Sequence, residues 1–188
     1  MTRDEAIKLV QEKIQNQNLI KHCLATEVCM MALAKHFGEN PASGGASWGL
    51  TGLLHDIDYE ETKNEPEKHS LIGAEILEKL GLDKEIYEAV KTHNEIHGIA
   101  PETKMAKALY CIDPLTGLIV ASTLVLPSKK IADLTAENVL NRFKEKGFAR
   151  GANREIIAKC EELLGLKLEE FVKIGLEAMK TINNELGL

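Results

Sequence analysis

The sequence has few aromatic residues. They make up only 4% of its 188 residues, and leucine, isoleucine, alanine and valine supply most of the apolar content. A β-sandwich core draws more heavily on aromatic and β-branched side chains, and no stretch shows sustained alternation of apolar and polar residues. Helix-forming residues and helix-capping patterns recur instead, so the sequence predicts an all-α fold.

Long apolar runs and paired cysteines are also missing. The longest apolar stretch, residues 115–126, is shorter than the roughly 20 residues that a membrane-spanning helix needs. The charged start of the sequence lacks the apolar run of a signal peptide. No cysteines form a C-x-x-C pair, which argues against a zinc knuckle or a thioredoxin-type site. We therefore expect a cytoplasmic protein with no membrane partner, whose cysteines are reduced core residues: Cys23, Cys29, Cys111 and Cys160.

Negative charge exceeds positive charge. The sequence has 29 acidic residues against 23 lysines and arginines, a formal net charge of -6. An acidic surface repels a phosphate backbone, so we expect no general nucleic-acid binding. This charge still permits a small anionic substrate, because a bound metal supplies positive charge locally.

The length and pattern of the chain favour a single domain. No internal repeat, low-complexity tract or linker divides residues 1–188. The residues that suggest chemistry fall within about 18–125, and the C-terminal helical segment, about 126–188, carries no recognisable motif.

Capping residues and glycines mark the predicted helix boundaries. Thr2 and Glu5 form a capping box, Asn18 and Asp83 are candidate N-caps, and Gly38 and Gly81 are candidate ends. The predicted helices span about residues 2–17, 18–38, 46–56, 66–81 and 83–96, and a sixth runs from 101 through Asp113. Loops are expected at 39–45 and 58–67. Shorter helices are expected after Ser128, Thr135 and Asn153, and residues 168–186 are amphipathic.

His55 and Asp56 are adjacent at the end of an apolar predicted helix, residues 50–54. Neighbouring helical residues point about 100° apart, so they converge on one ion only where the helix ends or where the ion lies between them. An imidazole beside a carboxylate suits a divalent first-row metal or magnesium.

Two further polar residues lie in apolar helical stretches. His22 lies within residues 20–25, and Asp113 lies within residues 108–115. A buried aspartate is costly unless it is paired or bound to a metal. Each residue also has an ordinary explanation: His22 as a hydrogen-bonded core residue, and Asp113 before Pro114 as part of a turn that interrupts a helix.

In combination, His22, then His55 and Asp56, then Asp113 resemble the HD-domain superfamily of metal-dependent phosphohydrolases, in which these four positions bind the metal. The resemblance implies a helical bundle with a metal site between the helices and catalytic roles for His55 and Asp56. It also implies hydrolysis of a phosphoester or phosphoanhydride, in a nucleotide or related small molecule, by water that the metal activates.

Residues 53–57 resemble the HDIG subgroup, with Asp58 where that subgroup has glycine. His69 and His93 resemble the next two histidines, which bind a second metal in binuclear members. The resemblance thus implies two divalent ions (Mn, Fe, Ni, Zn or Mg), with Asp56 able to link them; the alternative is that His69 and His93 are ordinary polar residues. Because a histidine ligand must be neutral, we expect affinity at the second position to weaken as pH falls through about 6.5.

Other polar residues near these motifs are candidates for substrate contacts. Lys63 and Lys68 flank the charged loop and would bind phosphate or remain solvated. His97 would face the substrate or support the site, or it would cap helix carbonyls. The loop acids are candidate acids or bases, or solvated side chains: Asp58, Glu60 and Glu61.

Two other functions fit the same residues. Some members of the superfamily with the six-ligand pattern resemble di-iron oxygenases, and the ligand set suits iron. A metal-stabilised nucleotide-binding module is the other alternative, although its degenerate forms tend to lose ligands and this sequence keeps all six.

Overall fold

The computed structural model describes residues 1–39 and 44–188, and these residues form helices without any strand. The predicted all-α fold is therefore confirmed. The helices are α1 Arg3–Lys13, α2 Gln17–His36, α3 Gly44–Leu54, α4 Tyr59–Thr62, α5 Leu71–Lys79, α6 Lys84–Thr92, α7 Lys104–Leu124, α8 Ala136–Lys144, α9 Arg154–Ala158, α10 Cys160–Leu164, α11 Leu168–Lys180 and α12 Asn183–Leu186. Single 3-10 turns lie at Glu95–His97 and Ile131–Asp133.

Helices α2 and α7 form the centre of the bundle. Helix α2 packs against α3, α7 and α11, and α7 also packs against α6, α8, α9 and α10. Helix α7 is long and apolar enough to cross a membrane, but 67% of its most apolar window is buried inside the protein. A core helix passes the same test, and this burial identifies α7 as one. The four cysteines are free and buried, as predicted.

Helix α7 continues through Pro114. The predicted alternative, in which Asp113 and Pro114 form a turn that interrupts the helix, is therefore wrong. Leu109, Ile112 and Leu115 are fully buried around the proline, and their packing favours a continuous helix despite the lost backbone donor. Asp113 is thereby held in the middle of a rigid element.

Several predicted caps are confirmed, and others are shifted. The capping box of Thr2 and Glu5 is present, and Thr135 and Asn153 cap α8 and α9. Helix α1 ends at Lys13 rather than near Gln17. Helix α2 is capped by Asn16, whose side chain accepts from the Asn18 N–H, and not by Asn18 itself. Both asparagines suit an N-cap, and the sequence alone does not choose between them.

Other boundaries also differ from the prediction. The expected loop 58–67 contains α4, and the expected loop 39–45 includes residues 40–43, which lie outside the described residues. Pro66 does not open α5, because Ser70 adopts a positive φ of 71° and the helix begins only after it. Thr103, not Pro101, caps α7. Ser128 caps no helix; its hydroxyl accepts from the Lys130 N–H before the second 3-10 turn.

Helices α2 and α3 cross closely at Gly52. A Cβ added there would lie 2.7 Å from the carbonyl oxygen of Thr26. This approach brings the end of α3, and the two polar residues that follow it, against α2.

We expect Gly52→Ala to lower the free energy of unfolding by about 1–3 kcal/mol, because the helix backbones must separate. Gly117→Ala is the control: it also adds a methyl group inside a helix, with no atom within 4 Å, and should stabilise by up to about 1 kcal/mol through helix propensity. Urea unfolding of metal-free protein measures both. Equal effects of the two substitutions would contradict the close crossing.

Candidate metal centre

Four of the predicted site residues converge between α2, α3 and α7. His22 lies on α2, His55 and Asp56 directly follow α3, and Asp113 lies on α7. Nε2 of His22 is 3.1 Å from Nε2 of His55 and 2.9 Å from Oδ1 of Asp113. Asp56 places Oδ2 at 3.5 Å from each of these two Nε2 atoms. The helix end at Leu54 lets the adjacent His55 and Asp56 point to the same place.

The other two predicted histidines approach Asp56 from the opposite side. His69 lies just before α5, and His93 is the residue that ends α6. Their Nε2 atoms are 3.3 Å and 3.6 Å from Oδ1 of Asp56. The two carboxylate oxygens of Asp56 therefore face two different pairs of histidines. The structure brings all six predicted residues together, and their ability to bind metal stays a prediction.

Each of the four histidines is fixed by a hydrogen bond at Nδ1. The partners are Thr116 Oγ1 for His22 at 3.0 Å, the Gly52 carbonyl for His55 at 2.8 Å, Asp58 Oδ1 for His69 at 2.9 Å and the Val90 carbonyl for His93 at 2.6 Å. Carbonyl and carboxylate oxygens only accept, so Nδ1 carries the proton in His55, His69 and His93. The Thr116 hydroxyl donates to the Asp113 carbonyl at 2.8 Å, so it accepts from His22.

These hydrogen bonds decide what the cluster can hold. A neutral imidazole with a proton on Nδ1 presents a lone pair at Nε2. When all four imidazoles are neutral, their Nε2 atoms point lone pairs inward, beside the carboxylates of Asp56 and Asp113, and none can donate to another. These lone pairs and carboxylates repel one another, and a cation placed among them would be coordinated by them. Neutral imidazoles and carboxylates are ordinary ligands for divalent metals. The donor set therefore fits a metal.

Protons compete with a metal for these nitrogens. Burial lowers the pKa of His55, but the charge of Asp56 and the hydrogen bond with Asp113 outweigh it and raise the pKa to about 9. Burial likewise lowers the pKa of His69, and hydrogen bonds with Asp56 and Asp58 raise it to about 10. Burial raises the pKa of Asp56, yet the nearby histidines hold it well below the usual range. The carboxylates beside His69 therefore favour a threshold above the expected pH 6.5.

A cavity of about 630 Å³ opens over the cluster. Its walls come from α2, the segment after α3, α7 and the loop that precedes α9. The lining residues are Asn16, Asn18, Leu19, His22, Asp56, Tyr59, Glu60, Lys63, His69, His93, Glu95, Tyr110, Asp113, Pro114, Gly117, Ala149, Gly151, Ala152, Asn153 and Ile156. Sequence reasoning missed the part of the cavity wall formed by residues 149–156. These residues carry no motif and reach the cavity only through the packing of the C-terminal segment.

The three predicted substrate contacts have different positions. Lys63 lines the cavity. Lys68 is half-exposed and pairs with Glu65 at the surface. His97 places Nε2 at 2.7 Å from the backbone carbonyl of His69, so it supports that residue from outside.

The three predicted loop acids also differ from one another. Asp58 is fully buried and accepts hydrogen bonds from Nδ1 of His69 and from the backbone N–H groups of Ser70 and Gly73. The expectation of a solvated acid at Asp58 is wrong, because its carboxylate is turned away from solvent, and Asp58 is not among the residues that line the cavity. Glu60 accepts from two backbone N–H groups before α2, and Glu61 is exposed.

We expect metal binding near neutral pH to release protons from the site, because the pKa values of His55 and His69 lie above 7. The apparent affinity should rise by about tenfold per pH unit for each proton released, between about pH 6 and pH 8. Calorimetric titration with Mn²⁺ in buffers of different ionisation enthalpy counts the protons. An affinity that levels off above about pH 6.5 would show that the histidines have ordinary pKa values.

Residues 19–121, more than half of the chain, match the HD domain family. Ribonuclease Y of Lawsonia intracellularis is 29% identical over 143 residues, which cover 74% of this chain and 26% of that protein. Ribonuclease Y of Nitratidesulfovibrio vulgaris (strain DP4) is 30% identical over 146 residues, with 75% and 27% covered.

The chain spans about a quarter of the length of the curated relatives it matches. No solved structure gives a significant match. The matched residues span the six positions at which the sequence resembles the family: His22, His55, Asp56, His69, His93 and Asp113. The chain therefore belongs to the HD domain family.

Proposed function

We propose that this chain is a phosphohydrolase that uses two divalent ions. His22, His55, Asp56 and Asp113 would hold the first ion, and Asp56, His69 and His93 would hold the second. The observation that carries the proposal is the orientation of the Asp56 carboxylate. Its Oδ2 faces His22 and His55, and its Oδ1 faces His69 and His93.

When bound, divalent ions neutralise phosphoryl oxygens and lower the pKa of water, so that hydrolysis proceeds near neutral pH. The protein contributes positioning. The Nδ1 hydrogen bonds fix each imidazole with Nε2 inward, and the cavity would hold the reacting phosphate over the cluster. Lys63 lines this cavity and would bind a substrate phosphate through its ammonium group.

The cavity favours a small phosphorylated substrate. Its volume of about 630 Å³ is in the range of small-molecule sites. Glu60 and Glu95 also line it, and their carboxylates, with the net charge of -6, disfavour an extended phosphate backbone. We therefore propose a nucleotide or a related small phosphoester as the substrate.

RNA is the second candidate substrate, because the relatives are named ribonucleases. Rates on a mononucleotide, a dinucleotide and a short single-stranded oligoribonucleotide, each with added Mn²⁺, separate the two candidates. A kcat/KM that increases with oligonucleotide length would favour RNA. Elemental analysis beside this panel addresses the oxygenase alternative: bound iron, with no phosphoester turnover under any metal, would refute the hydrolase.

Asp56→Ala should remove both ions and reduce hydrolysis to background, because Asp56 contributes to both positions. Asp133→Ala removes an exposed carboxylate from the second 3-10 turn and is the control. Metal content after gel filtration and initial rates measure the effect. Full metal content in the Asp56 variant would refute the proposed centre.

The double variant His69→Ala/His93→Ala should keep one ion, held by His22, His55, Asp56 and Asp113, and should hydrolyse substrate much more slowly. His36→Ala is the matched control, since His36 is exposed at the end of α2. Metal counting at saturating Mn²⁺ decides the number of ions. One equivalent in both the wild type and the double variant would leave a mononuclear hydrolase and contradict the two-ion proposal.

A further inference from the structure

The buried carboxylate of Asp58 lies against His69, and its hydrogen-bond partners within residues 1–39 and 44–188 are all N–H donors. Oδ1 accepts from Nδ1 of His69 at 2.9 Å, and Oδ2 accepts from the backbone N–H groups of Ser70 and Gly73, each at 2.8 Å. Ser70 and Gly73 lie at the start of α5, where unpaired N–H groups favour an anion. Three donors and the helix end together offset the cost of burying this charge.

His69 is distinguished from the other three histidines by this partner. Nδ1 of His22, His55 and His93 meets a hydroxyl or a backbone carbonyl, whereas Nδ1 of His69 meets a carboxylate. A charged acceptor makes a stronger hydrogen bond and increases the basicity of the opposite ring nitrogen. Nε2 of His69 is the atom that faces Oδ1 of Asp56.

Asp58 also fixes the backbone on which His69 is carried. Its hydrogen bond to the Ser70 N–H holds the residue with φ of 71°, and the Ser70 hydroxyl donates to the Lys91 carbonyl on α6 at 3.0 Å. A Cβ on Gly73 would lie 3.2 Å from the carboxylate of Asp58, so the glycine leaves room for it. The turn before α5 is thus built around this carboxylate.

We propose that Asp58 is a positioning residue for His69 and sets the affinity of the second metal position, formed by Asp56, His69 and His93. Glycine, which the HDIG pattern has here, supplies neither a carboxylate for the imidazole nor an acceptor for the turn. The inference rests on the two-ion centre of the proposed function.

Asp58→Asn tests this role with little change of shape. The amide has one acceptor oxygen and one NH₂ group, which only donates. If the NH₂ replaces Oδ2, it faces the N–H groups of Ser70 and Gly73; if it replaces Oδ1, it faces Nδ1 of His69. In both orientations a hydrogen bond is lost. Glu61→Gln removes the same charge from an exposed position on α4 and is the matched control.

Calorimetric titration of the metal-free protein with Mn²⁺ resolves the two binding steps. Asp58→Asn should weaken the second step by about 10–100-fold and leave the first unchanged, and the paramagnetic resonance signal of coupled Mn²⁺ pairs should disappear at stoichiometric metal. Glu61→Gln should match the wild type. In a His69→Ala background, Asp58→Asn should cause no further weakening, because its target is absent.

Several outcomes would overturn the inference. Equal second-step affinities in Asp58→Asn and Glu61→Gln would do so, as would weakening of both steps or a full effect in the His69→Ala background. If Asp58→Asn does not fold, Asp58→Gly, which carries the subgroup's residue, replaces it with the same expectation. Failure of the proposed function is seen separately: a wild type that binds two ions but hydrolyses none of the phosphoesters refutes the hydrolase and leaves the role of Asp58 intact.

Discussion

The convergence of four imidazole lone pairs on the carboxylates of Asp56 and Asp113 is the constraint on which the site depends. In the neutral form of the histidines these groups can only accept, which is unfavourable at distances of 2.9–3.6 Å, and the nearby carboxylates raise the pKa of His55 and of His69. The protein holds them there because the opposite ring nitrogens are tied down. His55 and His93 each donate Nδ1–H to a carbonyl three residues earlier, at the end of α3 and of α6. Those carbonyls lie in the last helical turn, where helical partners are few, and the Val90 carbonyl also accepts from the backbone N–H of His93.

This use of helix ends explains why the ligands lie at boundaries between elements. The carbonyl end of a helix carries partial negative charge, which orients the imidazole and makes it a better donor of electrons to a cation. His22 and Asp113 are the exceptions, since they lie inside α2 and α7. There the Thr116 hydroxyl connects the Asp113 carbonyl to His22. The close crossing at Gly52 then fixes the end of α3 against α2.

Local signals in the sequence were sufficient for part of this arrangement. The capping box at Thr2 and the caps at Thr135 and Asn153 depend on residues within one turn, and the six candidate ligands follow a recognisable order. Asp58 was not predictable in the same way. Its burial depends on donors 11 to 15 residues away, and on the positive φ of Ser70, neither of which leaves a periodic pattern.

The wall formed by residues 149–156 shows a second limit of local reasoning. The guanidinium of Arg154 donates to the carbonyls of Phe148, Ala149 and Ala152 and so organises the loop that precedes α9. Asn153 extends this wall by donating to Glu95, beside the turn that follows His93. These residues lie beyond the 19–121 segment that matches the HD family. If the ligands set the chemistry under the proposed function, this wall would contribute to the choice of substrate, because it borders the cavity over the ligands and is built from residues outside the family match.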